Sequence, residues 1–349
     1  MTTTQITRPK RIAYYLRYCQ NVHYFASIKP FLDYFISCGI HQNHVVVRRL
    51  AHGYQEIADY RGYTHLFTDD CDLVSYDLIL TPTFLRDDEE GAQHLAVQIF
   101  HGMSDKPFTY QRNFSQYLLC LCAGQRQLDR LHSYECNHRM PATMVGYPKF
   151  DRIPANPPLY KNEKKAVIYC PTWRKGNMSS IELFLSNVDI IHVLAERYNL
   201  IVKPHPNIFN PEREFYESRI VAQLEQLPNI RLIRSGNVMG WFSQADLFVG
   251  DISASGYEWL YFNRPMVFLN PQPGVLKPSQ DSNAWTYLWQ CGPVCDNVRE
   301  LPTLIANELN SDSYSDVRET VLHYSIFNPR GGTATQLAVA HILALLSSS

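Results

Sequence analysis

The sequence predicts an α/β protein of two doubly wound, Rossmann-like domains facing a cleft. Three observations carry that expectation. A chain of 349 residues is longer than one hydrophobic core usually spans and suits two domains. Short apolar runs alternate with stretches of helical spacing in both halves, as βαβ units on a mostly parallel sheet require. Between the halves, residues 151 to 165 turn rich in proline and charge and poor in apolar side chains, which marks a linker. The expected boundaries are an N-terminal domain over residues 1–153, a C-terminal domain over 154–330, and a final helix over 331–349 that packs back across the cleft.

The elements follow in chain order. Arg11 to Leu16 is an apolar run of strand length, and Phe25 to Ile36 places apolar residues at helical spacing before the Cys38-Gly39 stop. Val45 to Val47, Tyr76 to Leu80, Leu95 to Phe100 and Tyr117 to Leu121 are further strand candidates, and Gln125 to Cys136 is a polar helix. After the linker the pattern restarts: strand Ala166 to Cys170, helix Ser179 to Arg197, strand Leu200 to Lys203, helix Pro211 to Leu227 and strand Ile230 to Ile233. Strand Leu247 to Val249, helix Ser255 to Phe262 and strand Met266 to Leu269 complete it, and Thr333 to Leu346 has helical spacing.

Composition excludes several classes. Net charge is -1, from 32 basic and 33 acidic residues, so no global field draws the chain to nucleic acid or anionic lipid. The longest nearly apolar stretch, Leu337 to Leu346, is about half a bilayer span, and the first residues lack a signal core, so a cytoplasmic protein is expected. Nine cysteines at irregular spacing suit reduced thiols, although Cys291 and Cys295 flank a Gly-Pro turn and could meet. Asp70-Cys71-Asp72 and Asp87-Asp88-Glu89-Glu90 read as solvated acidic loops, and no cluster has metal-ligand spacing.

In open α/β sheets, ligands sit beyond the carboxyl ends of the strands, so residues just after a strand are where chemistry belongs. His101-Gly102 follows the strand ending at Phe100 and offers an imidazole able to take a proton near neutral pH. Pro171-Thr172-Trp173-Arg174-Lys175 offers a hydroxyl, a guanidinium and an ammonium, a set suited to phosphate. In Lys203-Pro204-His205-Pro206 two prolines fix the backbone around one imidazole. The loop Gly250-Asp251-Ile252-Ser253-Ala254-Ser255-Gly256-Tyr257-Glu258 enters a helix, whose amides and hydroxyls suit a phosphate. Ser253 or Ser255 could equally be a helix cap, and Glu258 either accepts from a ribose diol or is an exposed first-turn glutamate. Arg330-Gly331-Gly332-Thr333 is a second glycine-to-helix junction, fit for a phosphate or a domain contact.

Taken in order, His101-Gly102, Gly146-Tyr147-Pro148-Lys149-Phe150-Asp151, Tyr169-Cys170-Pro171-Thr172-Trp173-Arg174, Lys203-Pro204-His205-Pro206 and the Asp251 loop resemble the CDP-glycerol glycerophosphotransferase family over residues 95 to 275. The resemblance implies a GT-B fold and enzymes that build teichoic-acid-type and capsular polymers. It implies His101 as the base on the acceptor hydroxyl, His205 and Arg174 near the pyrophosphate, and the serines of the Asp251 loop on phosphate. It also implies a nucleotide-diphosphate donor, CDP-glycerol or a nucleotide sugar, a glycan or lipid-linked acceptor, and peripheral contact with the inner membrane face. Where the family continues Thr-Pro-Leu-Lys after His-Gly, this chain has Met103-Ser104-Asp105-Lys106. The Asp251 loop, with Asn328-Pro329 and Gly331-Gly332, is also similar to UDP-N-acetylglucosamine 2-epimerases.

These readings give an expected site of catalytic His101 and His205, with Thr172, Arg174, Lys203, Asp251, Ser253, Ser255, Glu258, Gly331, Gly332 and Thr333 on nucleotide and phosphate. Protein cations and a helix start suffice for the phosphates in this scheme, so neither metal nor cofactor is expected. Two other readings stay open here: an epimerase acting on a UDP-sugar, and a catalytically silent nucleotide-binding partner.

Overall fold

The computed structural model describes residues 8–17, 22–39, 41–47, 62–67, 72–85, 87–106, 109–173, 178–209, 217–227, 229–234 and 237–348. The chain forms two compact units, one of Met1–His101, Gln111–Asp151 and Gly331–Ser349, the other of Gly102–Tyr110 and Arg152–Arg330. No change in composition marks Gly102–Tyr110 as belonging to the second unit.

The first unit holds β1 (Arg11–Leu16), β2 (Gln42–Val47), β3 (His65–Phe67), β4 (Leu78–Thr81), β5 (Ala96–Gln98), β6 (Leu119–Cys122) and β7 (Ala142–Met144). They form one sheet in the order β3-β2-β1-β4-β5-β6-β7, every pair parallel. Parallel strands need both faces covered, and β1 is accordingly buried at five consecutive positions. Ile12, Tyr14, Leu16, Val45, Val47, Leu78 and Leu80 share one face and pack on Phe25, Ile28, Phe31, Leu32 and Phe35 of α1 (Val22–Cys38). Behind β6 runs α2 (Gln125–His132), which ends earlier than its polar run suggests and gives way to a tighter turn over Glu135–Asn137.

The second unit holds β8 (Ala166–Cys170), β9 (Asn199–Val202), β10 (Ile230–Leu232), β11 (Leu247–Gly250), β12 (Met266–Leu269) and β13 (Val294–Cys295), again all parallel, in the order β10-β9-β8-β11-β12-β13. Its helices are α3 (Ile181–Leu185), α4 (Val188–Arg197), α5 (Ser218–Gln226), α6 (Val238–Phe242), α7 (Ser255–Trp259), α8 (Leu301–Asn310) and α9 (Ser315–Ser325). The helix expected over Ser179 to Arg197 is thus broken in two. Ser186 and Asn187 bond back to the carbonyls of Glu182 and Leu183, which competes with a continuous helix ladder. The helix expected to Phe262 tightens after Trp259 and stops at Asn263, which is left-handed with φ 46°. The expected helix over Pro211 to Leu227 is seen as α5, with residues 211–216 outside the described set.

The last helix, α10 (Ala334–Ser348), belongs to the first unit, where Ala338, Val339, Ile342 and Leu346 join the core beneath α1 and β1. Among the described residues no helix is long and apolar enough to cross a membrane. Cys291 and Cys295 are both free and do not pair; the Cys295 thiol donates to the Asn297 carbonyl.

Candidate functional site

The strand order of each sheet reverses once, between β1 and β4 in the first unit and between β8 and β11 in the second. Crevices at such reversals receive ligands in doubly wound folds. In the second unit the chain leaves β8 as Cys170-Pro171-Thr172 and leaves β11 as Gly250-Asp251-Ile252. Gly250 is required where it stands, because a Cβ there would lie 2.3 Å from the Phe248 ring.

Asp251 is 1% exposed, and its carboxylate accepts from the Thr172 amide at 2.9 Å and from the Ser180 amide and hydroxyl at 2.9 and 3.0 Å. Burial pushes its pKa up to about 6 against the opposing pull of those hydrogen bonds and of the Lys106 ammonium. The Asp251 carboxylate is thus tied first to the protein itself. Its oxygens are committed to the loop after β8, which they fasten to the loop after β11, and a second anion there would be repelled. Thr172 is held twice, since its hydroxyl also accepts from Lys106 Nζ at 2.6 Å.

Lys203 follows β9 and is 7% exposed, with Nζ donating to the Pro204 carbonyl at 3.3 Å. Burial lowers its pKa, and the neighbouring Cys170 and Glu258 oppose that shift. Glu258 is 8% exposed, a buried carboxylate rather than an exposed first-turn residue, and lies within electrostatic reach of Lys203. His205 lies with its ring centroid 5.5 Å from that of Trp173, and its Nδ1 accepts from the Asn207 amide at 3.1 Å. A backbone N–H can only donate, so the neutral ring carries its proton on Nε2. The Ser253 and Ser255 hydroxyls lie 2.8 Å apart at the start of α7, where the Ser253 hydroxyl also accepts from the Ser255 amide at 3.4 Å. In the second unit Thr172, Lys203, His205 and Ser253 follow β8, β9 and β11, and Ser255 and Glu258 stand in α7. Arg174 lies outside the described residues.

In the first unit His101 stands just past β5. Phe100 before it has φ 49°, a sparsely populated conformation for a bulky residue and of the kind that clusters at functional sites. His101 Nδ1 lies 2.9 Å from the Pro82 carbonyl, at the end of β4. A carbonyl can only accept, so Nδ1 is the donor and, in the neutral ring, Nε2 is the acceptor nitrogen. The edge of the Tyr24 ring lies against the imidazole, at 4.6 Å between centroids.

Two elements have roles that sequence reasoning missed. The His101 carbonyl accepts from the Tyr147 hydroxyl and from Lys149 Nζ, each at 3.2 Å, so the Gly146-Tyr147-Pro148-Lys149 stretch positions the histidine. Asp151 then accepts from the amides of Ala334 and Thr335 at 3.1 and 2.6 Å. The helix start that Gly331, Gly332 and Thr333 lead into thus already holds a carboxylate. Arg330 beside them pairs with Glu319 at 2.7 Å and donates to the Tyr261 carbonyl. Of the first acidic loop, Asp72 caps the turn Leu73–Ser75, while Asp70 and Cys71 lie outside the described residues.

The family model for CDP-glycerol:poly(glycerophosphate) glycerophosphotransferases matches residues 134–344. The teichoic acid glycerol-phosphate primase of Bacillus subtilis (strain 168) is 32% identical over 105 residues, which is 30% of this chain and 25% of that protein. The enzyme of the same description from Bacillus spizizenii is 27% identical over 106 residues, again 30% and 25%. The matches thus span about a quarter of these curated relatives. Among solved structures, the wall teichoic acid polymerase TagF, as a variant soaked with CDPG, superposes with a TM-score of 0.66 at 14% identity, covering 98% of this chain and 90% of that one. A UDP-N-acetylglucosamine 2-epimerase from Listeria monocytogenes gives 0.60 at 12% identity, covering 98% of each chain. These likenesses, with two all-parallel sheets, show the GT-B fold. The family model spans more than half of the 349 residues, and the chain belongs to the CDP-glycerol:poly(glycerophosphate) glycerophosphotransferase family.

Proposed function

We propose that the protein transfers the glycerophosphoryl group of CDP-glycerol to a hydroxyl of a cell-surface glycan or lipid-linked acceptor. Family membership supports the donor and the reaction type. The observation that carries the mechanism is that the two histidines are held in opposite tautomers. In the step, the acceptor oxygen attacks the phosphorus that bears glycerol, the bond from that phosphorus to the bridging oxygen breaks, and CMP departs. His101 Nε2 takes the hydroxyl proton as the new bond forms. His205 Nε2–H donates to the diphosphate, and Lys203, the Thr172 and Ser253 hydroxyls and the amides at the start of α7 offset its charge. The resemblance implies that Arg174, two positions after Thr172 in the sequence, adds its guanidinium. Ser255 braces Ser253 at 2.8 Å, and Glu258 favours the charged form of Lys203 against its burial.

The setting goes with the resemblance: teichoic-acid or capsular polymer synthesis at the cytoplasmic face of the membrane, with peripheral contact there. No organic cofactor enters the step. The test is incubation of the purified protein with CDP-glycerol and a phosphoglycerol-bearing glycan or lipid acceptor. CMP release that needs the acceptor and vanishes in His101→Ala is expected. Release from no acceptor tried, or conversion of a UDP-sugar to its epimer with no acceptor present, would overturn the reading.

A further inference from the structure

Gly102–Tyr110 continues directly from His101, yet it packs as part of the second unit. Two buried hydrogen bonds hold it there. Asp105, 4% exposed, accepts from the hydroxyl of Tyr257 in α7 at 2.6 Å, and Lys106 Nζ donates to the Thr172 hydroxyl at 2.6 Å. The segment is braced internally by the Tyr110 hydroxyl on the Ser104 carbonyl at 2.8 Å and by the Lys106 amide on the Ser104 hydroxyl at 3.2 Å. Its other end is fixed too, by Tyr147 and Lys149 on the His101 carbonyl and by the left-handed turn at Phe100. A short run of chain is therefore held at one end by the groups that set the base and at the other by the loops assigned to the donor.

We propose that Asp105 and Tyr257 are positioning residues, a strap that transmits the state of the donor loop after β11 to His101. The proposal rests on the function above only in taking His101 as the base and that loop as the donor's. Neither residue touches reacting atoms. A carboxylate is an expensive group to bury, and an apolar side chain would pack the segment more cheaply. What the Asp105 to Tyr257 bond adds is direction: it is short and charge-assisted, and it forms only when α7 and the segment are in register. When the diphosphate draws in the Ser253 and Ser255 loop, α7 is set, Tyr257 engages Asp105, and the segment fixes the approach of His101 to the acceptor.

Tyr257→Phe deletes one oxygen and tests this; Asp105→Asn is the companion variant. Thermal unfolding, CDP affinity by calorimetry, kcat and KM for CDP-glycerol, and amide hydrogen exchange across residues 99–110 with and without CDP are measured on each. In the wild type, CDP should slow exchange across 99–106. In Tyr257→Phe that response should be lost and kcat should fall about tenfold or more while CDP affinity stays within about twofold, as expected when a catalytic group is misplaced with binding intact. The double variant should be no slower than the worse single one. A wild type whose exchange ignores CDP, a Tyr257→Phe protein that keeps both the response and kcat, or a parallel fall of kcat and CDP affinity would overturn the strap. A wild type that responds to CDP yet releases no CMP from CDP-glycerol would instead sink the donor assignment and leave the strap standing.

Discussion

The two units are built on one plan, with the strand order third, second, first, fourth, fifth, sixth in each and a seventh strand added to the first. Their histidines, both placed just past a strand end, are prepared in opposite ways. His101 donates from Nδ1 to a carbonyl, which leaves Nε2 the acceptor of the neutral ring, whereas His205 receives a backbone N–H on Nδ1 and carries its proton on Nε2. The surroundings differ in the same sense. Around Thr172 and Asp251 buried ammonium and carboxylate groups cluster, while His101 meets the Tyr24 ring and follows a strained backbone. The scaffold supplies the edge, and the partner on the far side of each imidazole decides whether it accepts or donates.

The largest expected effect breaks the comparison at its first term. His101→Ala should lower kcat by about 10²–10⁴-fold with CDP affinity unchanged, the usual range for losing a general base. His205→Ala should instead weaken CDP binding and kcat together, and calorimetry beside turnover assays separates the two. Next comes Asp251. Its folded-state pKa, about 6, lies above its ordinary 3.8, so between those values the native protein binds more protons than the unfolded chain. Stability must then fall as pH rises from about 4 to about 6 and level off above, by at most about 3 kcal/mol for a rise of roughly two pH units. Asp251→Asn should erase this slope, which urea denaturation across that range would show. Asp151→Ala should cost about 1–2 kcal/mol through the lost α10 cap, read as a lower melting temperature with CDP binding unaltered. The smallest effect tests the second glycine junction. Gly332 has φ 62° and a Cβ there would meet nothing within 4 Å, so Gly332→Ala should cost only about 1 kcal/mol of backbone strain and leave donor KM alone.

Much of this plan is legible in the amino-acid sequence. β1, β8 and β12 are buried on both faces and so appear as unbroken apolar runs, while β3, β7 and β13 have three, three and two residues and carry too little pattern to be seen. Prolines and glycines after strands point to His101, Thr172, Lys203 and His205. What the chain order hides is the direction a side chain faces. The donors that claim Asp251 lie 79 and 71 positions away, the amides on Asp151 lie 183 and 184 away, and Tyr257 lies 152 from Asp105. A carboxylate that follows a strand reads as a ligand group until those partners are known. The tautomers are hidden for the same reason where the partner is remote, since Pro82 is 19 positions from His101.

If the second unit holds the donor while the first unit supplies the base, a structure of the protein with CDP bound will show it most directly. The diphosphate should lie beyond β8 and β11, within hydrogen-bond reach of His205 Nε2 and the Ser253 and Ser255 amides, with His101 Nδ1 still on the Pro82 carbonyl. A diphosphate bound beyond β1 and β4 of the first unit, or a His205 ring turned so that Nε2 faces the Asn207 amide, would contradict that division of labour.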